Sequence, residues 1–261
     1  MKLHRIYAMV IRYWFYLKHS LDRMSDMFYW PTVDLLLWGL TSRFVQTSGQ
    51  NLPNIILVII SGILFWIIVW RGQYEITVNF LEELWNKNLV NLFVSPLKLK
   101  EWVVSVFIIG IIKMLLSLSF ASLLAYILYK TNIFAYGYYL LPFGLLLILT
   151  GWAVGLFIAG VIMRFGTRVQ TLAWTAIMMI SPFSAVYYPV SILPDWAQTV
   201  AKAIPSSYFF ENGRSLIFQQ TVNHQDLLIS LLLNLCYLGF SMWFFKTSFE
   251  KAKQTGLISV Y

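Results

Sequence analysis

Charged side chains make up only 11% of this 261-residue chain, less than half the share of about 25% usual in soluble domains. With 59% of its residues apolar, the chain cannot cover a water-exposed surface, and its solvent is a bilayer. Cysteine is almost absent. The single thiol, Cys236, excludes internal disulfides and multi-cysteine metal sites, and its apolar sequence neighbours mark it as a small core residue. His4, His19 and His224 are too scattered for a metal cluster or an H-E-x-x-H helix. None of the 14 glycines is followed by lysine, so the chain carries no Walker-type phosphate cradle. A G-x-S-x-G elbow and a Ser/His/Asp set are also missing. The early apolar run Ile6–Ile11, bracketed by Arg5 and Arg12, is shorter than the ~7–15 residues of a signal h-region. No long hydrophilic stretch offers a second soluble domain. Work done through this chain therefore draws its energy from another chain or from an ion gradient.

What the chain has instead is apolar length. A helix needs about 20 mostly apolar residues to cross a hydrocarbon core of ~30 Å. Six segments qualify: Phe28–Gln46, Leu52–Trp70, Trp102–Tyr129, Tyr138–Met163, Val169–Tyr188 and Leu227–Phe245. They predict an all-α, polytopic membrane protein with residues 1–261 as one transmembrane domain. Aromatics reach 18%, with 11 Trp and 15 Tyr, types that gather at membrane–water interfaces.

The net charge of +8 is topological. With both termini cytoplasmic, the inner segments hold Lys2, Arg5, Arg12, Lys18, Arg23, Arg71, Lys87, Lys98, Lys100, Arg164, Arg168, Lys246, Lys251 and Lys253. The outer segments hold only Lys130, Lys202 and Arg214. That is a strong positive-inside bias, and it sets a nucleic-acid partner aside.

Residues 1–27 read as an amphipathic helix on the inner surface, with Tyr7, Val10, Ile11, Trp14 and Leu17 or Lys18 at helical spacing. A short cytosolic arm is the plainer alternative. In the long inner connection Arg71–Trp102, residues Leu81, Leu84, Trp85, Leu89, Leu92 and Phe93 fall on one helical face, with Glu82, Glu83, Asn86, Lys87 and Asn91 on the rest. Asn79 and Glu82 are spaced as a capping box, and Pro96 stops the helix. Such a helix either rests on the membrane or docks into a groove of a cytosolic partner. The paired carboxylates Glu82 and Glu83 favour docking, because anionic lipid repels them and a basic groove would pair with them.

Ionisable groups within the spans are functional candidates. Asp34 lies in the inner third of the first span and Lys113 near the middle of the third. They form a direct pair or serve a polar cavity separately. Arg43 snorkels to the outer interface. Gly151, Gly155 and Ala159 form a small-xxx-small ridge for close helix packing. Between the fifth and sixth spans, Pro189–Thr221 offers two short helices: a first with Ile192, Trp196 and Val200 striped along it, a second over Ser206–Gln220. Both are too short to cross, and a re-entrant hairpin over the outer end of a pathway fits their greasy composition.

Three features carry a resemblance. One is "LEELWNKNLVNLFVSPLKLKEW", with Ser95, Pro96, Leu97 and Glu101; another is "SPFSAVYYPVSILPDWAQTVAKAIPSSYFFENGR". The third is the order of elements, from surface helix through six spans to a re-entrant pair before the last span. Together they resemble the membrane permease subunits of type-2 ATP-binding-cassette exporters, over essentially the whole chain. The family's asparagine before the second proline is absent here, where the chain reads Ala203-Ile204-Pro205, which puts the local cap in doubt.

The resemblance implies a half-transporter in a prokaryotic plasma membrane, with two copies, or two related permeases, forming the pore. Each copy would dock a separate nucleotide-binding subunit, which holds ATP and Mg, through Leu81, Glu82, Glu83, Leu84, Trp85, Asn86 and Lys87. The implied outer gate comprises Tyr187, Tyr188, Pro189, Leu193, Pro194, Trp196, Pro205, Tyr208 and Phe209. Export of a drug, a lipid or a glycan is implied, with membrane lipids as the surrounding partners. A gradient-driven carrier would show charged or broken midspans in matching halves, and a membrane-embedded enzyme would need a catalytic constellation.

Overall fold

The computed structural model describes residues 1–47 and 55–254, apart from the side chains of Ile55 and Phe93. Among the described residues every regular element is helical. In chain order the α-helices are α1 (Leu3–Lys18), α2 (Leu21–Thr47), α3 (Ile55–Trp85), α4 (Leu89–Val94), α5 (Leu99–Tyr129), α6 (Leu140–Phe165), α7 (Leu172–Ile180), α8 (Asp195–Lys202), α9 (Pro205–Gln219) and α10 (His224–Gln254).

Among the described residues four stretches are long and apolar enough to cross a membrane: Ile56–Trp85, Leu99–Tyr129, Ile133–Val169 and His224–Gln254. They contain the predicted second, third, fourth and sixth spans, except that residues 52–54 fall outside the described residues. Helix α2 encloses the predicted first span and at 27 residues is about 40 Å long. Asp22, Arg23, Asp26, Asp34 and Arg43 lower its hydropathy.

The predicted fifth span differs most. It is not one helix over Val169–Tyr188. A 3-10 turn occupies Gly166–Val169, α7 has only nine residues, and a second 3-10 turn covers Ser181–Phe183. Gly166, at φ 70°, breaks the chain ahead of α7, and Pro182, which has no N–H to continue the ladder, ends it behind. Ala185 then turns left-handed at φ 58°. The Tyr188 hydroxyl closes the corner by donating to the Pro182 carbonyl at 2.8 Å.

The core forms two apolar clusters along the bundle. One gathers Leu35, Ile60, Leu64, Phe65, Phe143, Ile177 and Phe209; the other gathers Tyr13, Phe80, Leu84, Trp102, Ile109, Ile162 and Phe245. The small-residue ridge lets α6 approach α3 closely, as its spacing predicts. A Cβ on Gly151 would stand 2.5 Å from the Val69 carbonyl oxygen, and one on Gly155 would stand 2.9 Å from that of Gln73. Helix α10 turns most of its apolar surface outward, through Leu228, Leu232, Leu235 and Trp243. Cys236 is exposed on that helix, not in the core as its neighbours imply, because apolar neighbours in a bilayer serve lipid as well as protein.

The amphipathic segment 1–27 is two helices, not one, with α2 beginning at Leu21. Helix α1 buries Ile6, Met9, Tyr13 and Leu17 against the bundle and leaves Tyr7 and Trp14 exposed. Its predicted apolar stripe is thus divided, with one edge on protein and the aromatics outside.

Gly239 has no atom near an added Cβ and serves as the control for the ridge. Gly151→Ala is expected to cost about 1–3 kcal/mol by overpacking and to lower the thermal midpoint of the detergent-solubilised chain by several degrees. Gly239→Ala leaves it within a degree. Equal midpoints for the two variants would contradict the backbone contact at Gly151.

Candidate functional site: a charge quartet, an aromatic cavity and an inner tip

Four ionisable groups meet where α2, α3 and α5 pack. Glu75 receives the Lys113 ammonium at 2.5 Å and lies 3.7 Å from Arg71. Arg71 also binds the Asp26 carboxylate at 2.9 Å and the Asp26 carbonyl at 2.8 Å. The Asn79 amide donates to the Glu75 carboxylate at 3.3 Å. Arg71, Glu75 and Lys113 are all buried, and two carboxylates against two cations leave the set neutral. Burial of this kind is tolerable only when charges are matched.

Lys113 therefore pairs with Glu75, not with Asp34. The sequence places Glu75 in a loop, whereas α3 runs on unbroken past the predicted span to Trp85. The continuing pattern Ile76, Phe80, Leu81 and Leu84, all buried, was the available sign, since it keeps the helical period through Arg71 and Glu75.

Asp34 faces a different setting. It lines a cavity of about 490 Å³ between α2, α3 and α7, together with Trp30, Trp66, Trp70, Tyr74, Trp174 and Tyr187. Asp26 and Arg71 form part of its charged wall. Several of the rings are held by stacking: Trp70 on Tyr74 at 6.1 Å, Trp174 on Trp85 at 6.3 Å, and Tyr187 on Trp38 at 4.4 Å. The volume and the largely aromatic lining suit a drug-sized ligand.

The tip of α3 is built differently from its prediction. Asn79 sits inside α3 and donates to the Glu75 carbonyl, so it caps nothing. The helix ends at Trp85, ahead of a turn in which Lys87 is left-handed at φ 53°, and α4 follows. Pro96 lies beyond both. Leu81, Leu84, Leu89 and Leu92 are buried, while Trp85, Asn86, Lys87, Val90, Asn91 and Val94 are exposed. Phe93, the last member of the predicted stripe, lies outside the described side chains.

Glu82 and Glu83 meet cations of their own chain. Arg23 pairs with Glu82, and Arg12 pairs with Glu83 at 2.9 Å. Tyr13 donates to Glu83 at 3.1 Å and receives the Trp102 indole N–H at 2.9 Å. Burial and the Glu83 carboxylate push the Tyr13 phenol far above its ordinary pKa, which keeps it a donor. One residue set further on, Glu101 accepts the backbone N–H of Lys98 at 3.0 Å and of Lys2 at 2.8 Å, capping α5. Arg5 adds an ion pair to Glu101 at 3.6 Å. Helix α1 is thus fastened at its start to Glu101 and along its length to Glu83.

At the other end of the bundle the two short helices stand where the prolines place them. Helix α9 has no side-chain cap at Ile204, and Pro205 opens it, in line with the missing asparagine. Ser207 instead ties α9 to the end of α8, donating to the carbonyls of Ala201 at 2.6 Å and Ile204 at 2.8 Å. Arg214 donates to the Ala185 carbonyl at 2.6 Å, and Glu211, paired with Arg214 at 3.0 Å, accepts the Val190 N–H at 2.6 Å. Helix α8 buries Ala197 and Ala201 and turns Trp196 and Val200 outward, and Ile192, in the 3-10 turn ahead of it, is exposed as well. Of the predicted gate residues, Phe209 and Pro205 are buried, Pro194 and Trp196 are exposed, and Pro189, Leu193 and Tyr208 are half-buried. Phe209 packs edge-on to Phe65 and Phe143 at 4.9 and 4.7 Å. Tyr187 alone of that set lines the cavity.

Compared with known families, residues 7–218 match the ABC-2 type transporter model. No curated protein matches the chain.

Removing one member of the buried quartet should cost about 3–5 kcal/mol, while apolar replacement of a matched pair costs far less. Lys113→Met is expected to lower the thermal midpoint by roughly ten degrees, and Lys113→Met with Glu75→Leu to recover most of it. A double variant less stable than the single would show that the two groups do not neutralise each other.

Proposed function

The chain belongs to the ABC-2 type transporter family, and from that premise we propose that it is one half of an ATP-driven exporter. It is a multi-pass membrane permease subunit. The further reading is that two copies, or this chain and a related permease, face each other across the wall formed by α2, α3 and α7. Helix α2 and the broken stretch 166–188, with α7 at its centre, then complete six crossings, with both termini on the cytoplasmic side. A separate subunit supplies ATP, Mg and the hydrolysis. The cargo is a drug, a lipid or a glycan moved outward.

One observation carries this reading: α3 is a single 31-residue helix, about 46 Å long, with an exposed tip at one end and the cavity wall along its length. Trp66, Trp70, Arg71 and Tyr74 line the cavity, and Trp85 stands at the tip. A push on the tip reaches the cavity with no joint between. The docking face comprises Trp85, Asn86, Lys87, Val90, Asn91 and Val94. Leu81 and Leu84 hold the tip to the bundle, and Glu82 and Glu83 anchor it to α1 and α2. The short helices α8 and α9 act as the outer gate, with Tyr187, Tyr188, Pro189, Leu193, Pro194 and Trp196 at its moving edge and Pro205, Tyr208 and Phe209 in its base.

Gradient-driven transport is the second reading, and the uncompensated Asp34 carboxylate in the cavity is the observation in its favour. Mild-detergent purification from native membranes separates the two. An ATPase subunit is expected to co-purify; transport that continues in its absence would sink the ATP-driven reading. Trp85→Asp and Val90→Asp are expected to cut substrate-stimulated ATP hydrolysis at least about tenfold, as loss of interface anchors does, with the permease still folded. Unchanged stimulation in both would remove the docking assignment.

A further inference from the structure

The cavity between α2, α3 and α7 carries three ionisable groups, and two of them are already matched. Arg71 and Asp26 bind each other at 2.9 Å, and Arg71 is shared further with Glu75. The third, Asp34, has no hydrogen bond or ion pair among the described residues. Two carboxylates against one guanidinium leave the wall with a net charge of −1. This half-buried carboxylate has no counter-ion among the described residues, and a cation of the right size supplies one.

The rest of the wall fits the same occupant. Four indoles and two phenols surround Asp34, and stacking on neighbouring rings fixes the faces of Trp70, Trp174 and Tyr187. Aromatic faces carry the negative end of the ring quadrupole and attract a diffuse cation. An anion would meet Asp34 unmatched and would find Arg71 already engaged. A neutral sugar could stack on the rings but would leave the carboxylate uncompensated.

We propose that this cavity binds a lipophilic organic cation, held by cation–π contacts with its aromatic wall and by ion pairing with Asp34. Its role as the cargo site rests on the transport reading above; the binding itself does not. Asp34 is the group that selects charge, and the indoles select apolar bulk.

The full chain, purified in detergent without nucleotide, is titrated with tetraphenylphosphonium and with the isosteric anion tetraphenylborate while tryptophan fluorescence is followed. Saturable quenching by the cation is expected, with an affinity at least about tenfold above that for the anion. Asp34→Asn should reduce that preference below about threefold with an unchanged thermal midpoint, and Asp34→Glu should restore it. Equal affinities in the native chain would overturn the proposal, as would a preference that survives in Asp34→Asn. The two readings fail separately. Cation binding in a chain that recruits no ATPase keeps the site and sinks the exporter, whereas ATPase recruitment without charge preference sinks only the site.

Discussion

The pairing of Lys113 with Glu75, and of Arg71 with Asp26, is the constraint on which the remaining architecture depends. These groups come from α2, α3 and α5, so one neutral set fixes the relative height of three helices. Apolar side chains in a bilayer do not set such a register, because a leucine against a helix and a leucine against a lipid tail differ little in free energy. A buried charge with a single partner is far more selective. The quartet also decides what the neighbouring cavity presents, since it consumes the only guanidinium on that wall and leaves Asp34 unmatched.

Around this layer the molecule divides into regions with different duties. The cluster holding Phe80, Trp102 and Phe245 supports the tip of α3. The cluster holding Phe65, Phe143 and Phe209 supports the short helices at the opposite end. Helix α3 belongs to both, and its contact with the Gly151–Gly155 ridge has no room for slippage. By contrast, α7 is short, ends at a proline and continues into a corner held by single hydrogen bonds. The cavity therefore has a rigid wall in α3 and a more compliant one in α7.

Much of this was legible in the residues. Long apolar runs located α2, α3, α5, α6 and α10, glycine spacing located the packing face of α6, and prolines located α8 and α9. The partners of charges were less legible. Glu82 and Glu83 look free in a window of local sequence, and their cations, Arg23 and Arg12, come from helices far earlier in the chain. Leu84 and Trp85 read as one stripe, yet tertiary packing buries the first and exposes the second. Asp34 was visible as an isolated carboxylate. The cage around it was not, because Trp30, Trp70 and Trp174 come from three separate segments. Periodicity describes one helix at a time, and a cavity belongs to several.

The i,i+4 spacing of Arg71 and Glu75 on α3 bears on how the chain is made. A lone arginine or glutamate entering hydrocarbon is costly, but α3 leaves the ribosome carrying a counter-ion for each within its own turn. Arg71 and Glu75 stand 3.7 Å apart beside their shorter bonds to Asp26 and Lys113, so each charge on α3 has one counter-ion on its own helix and another on a neighbour.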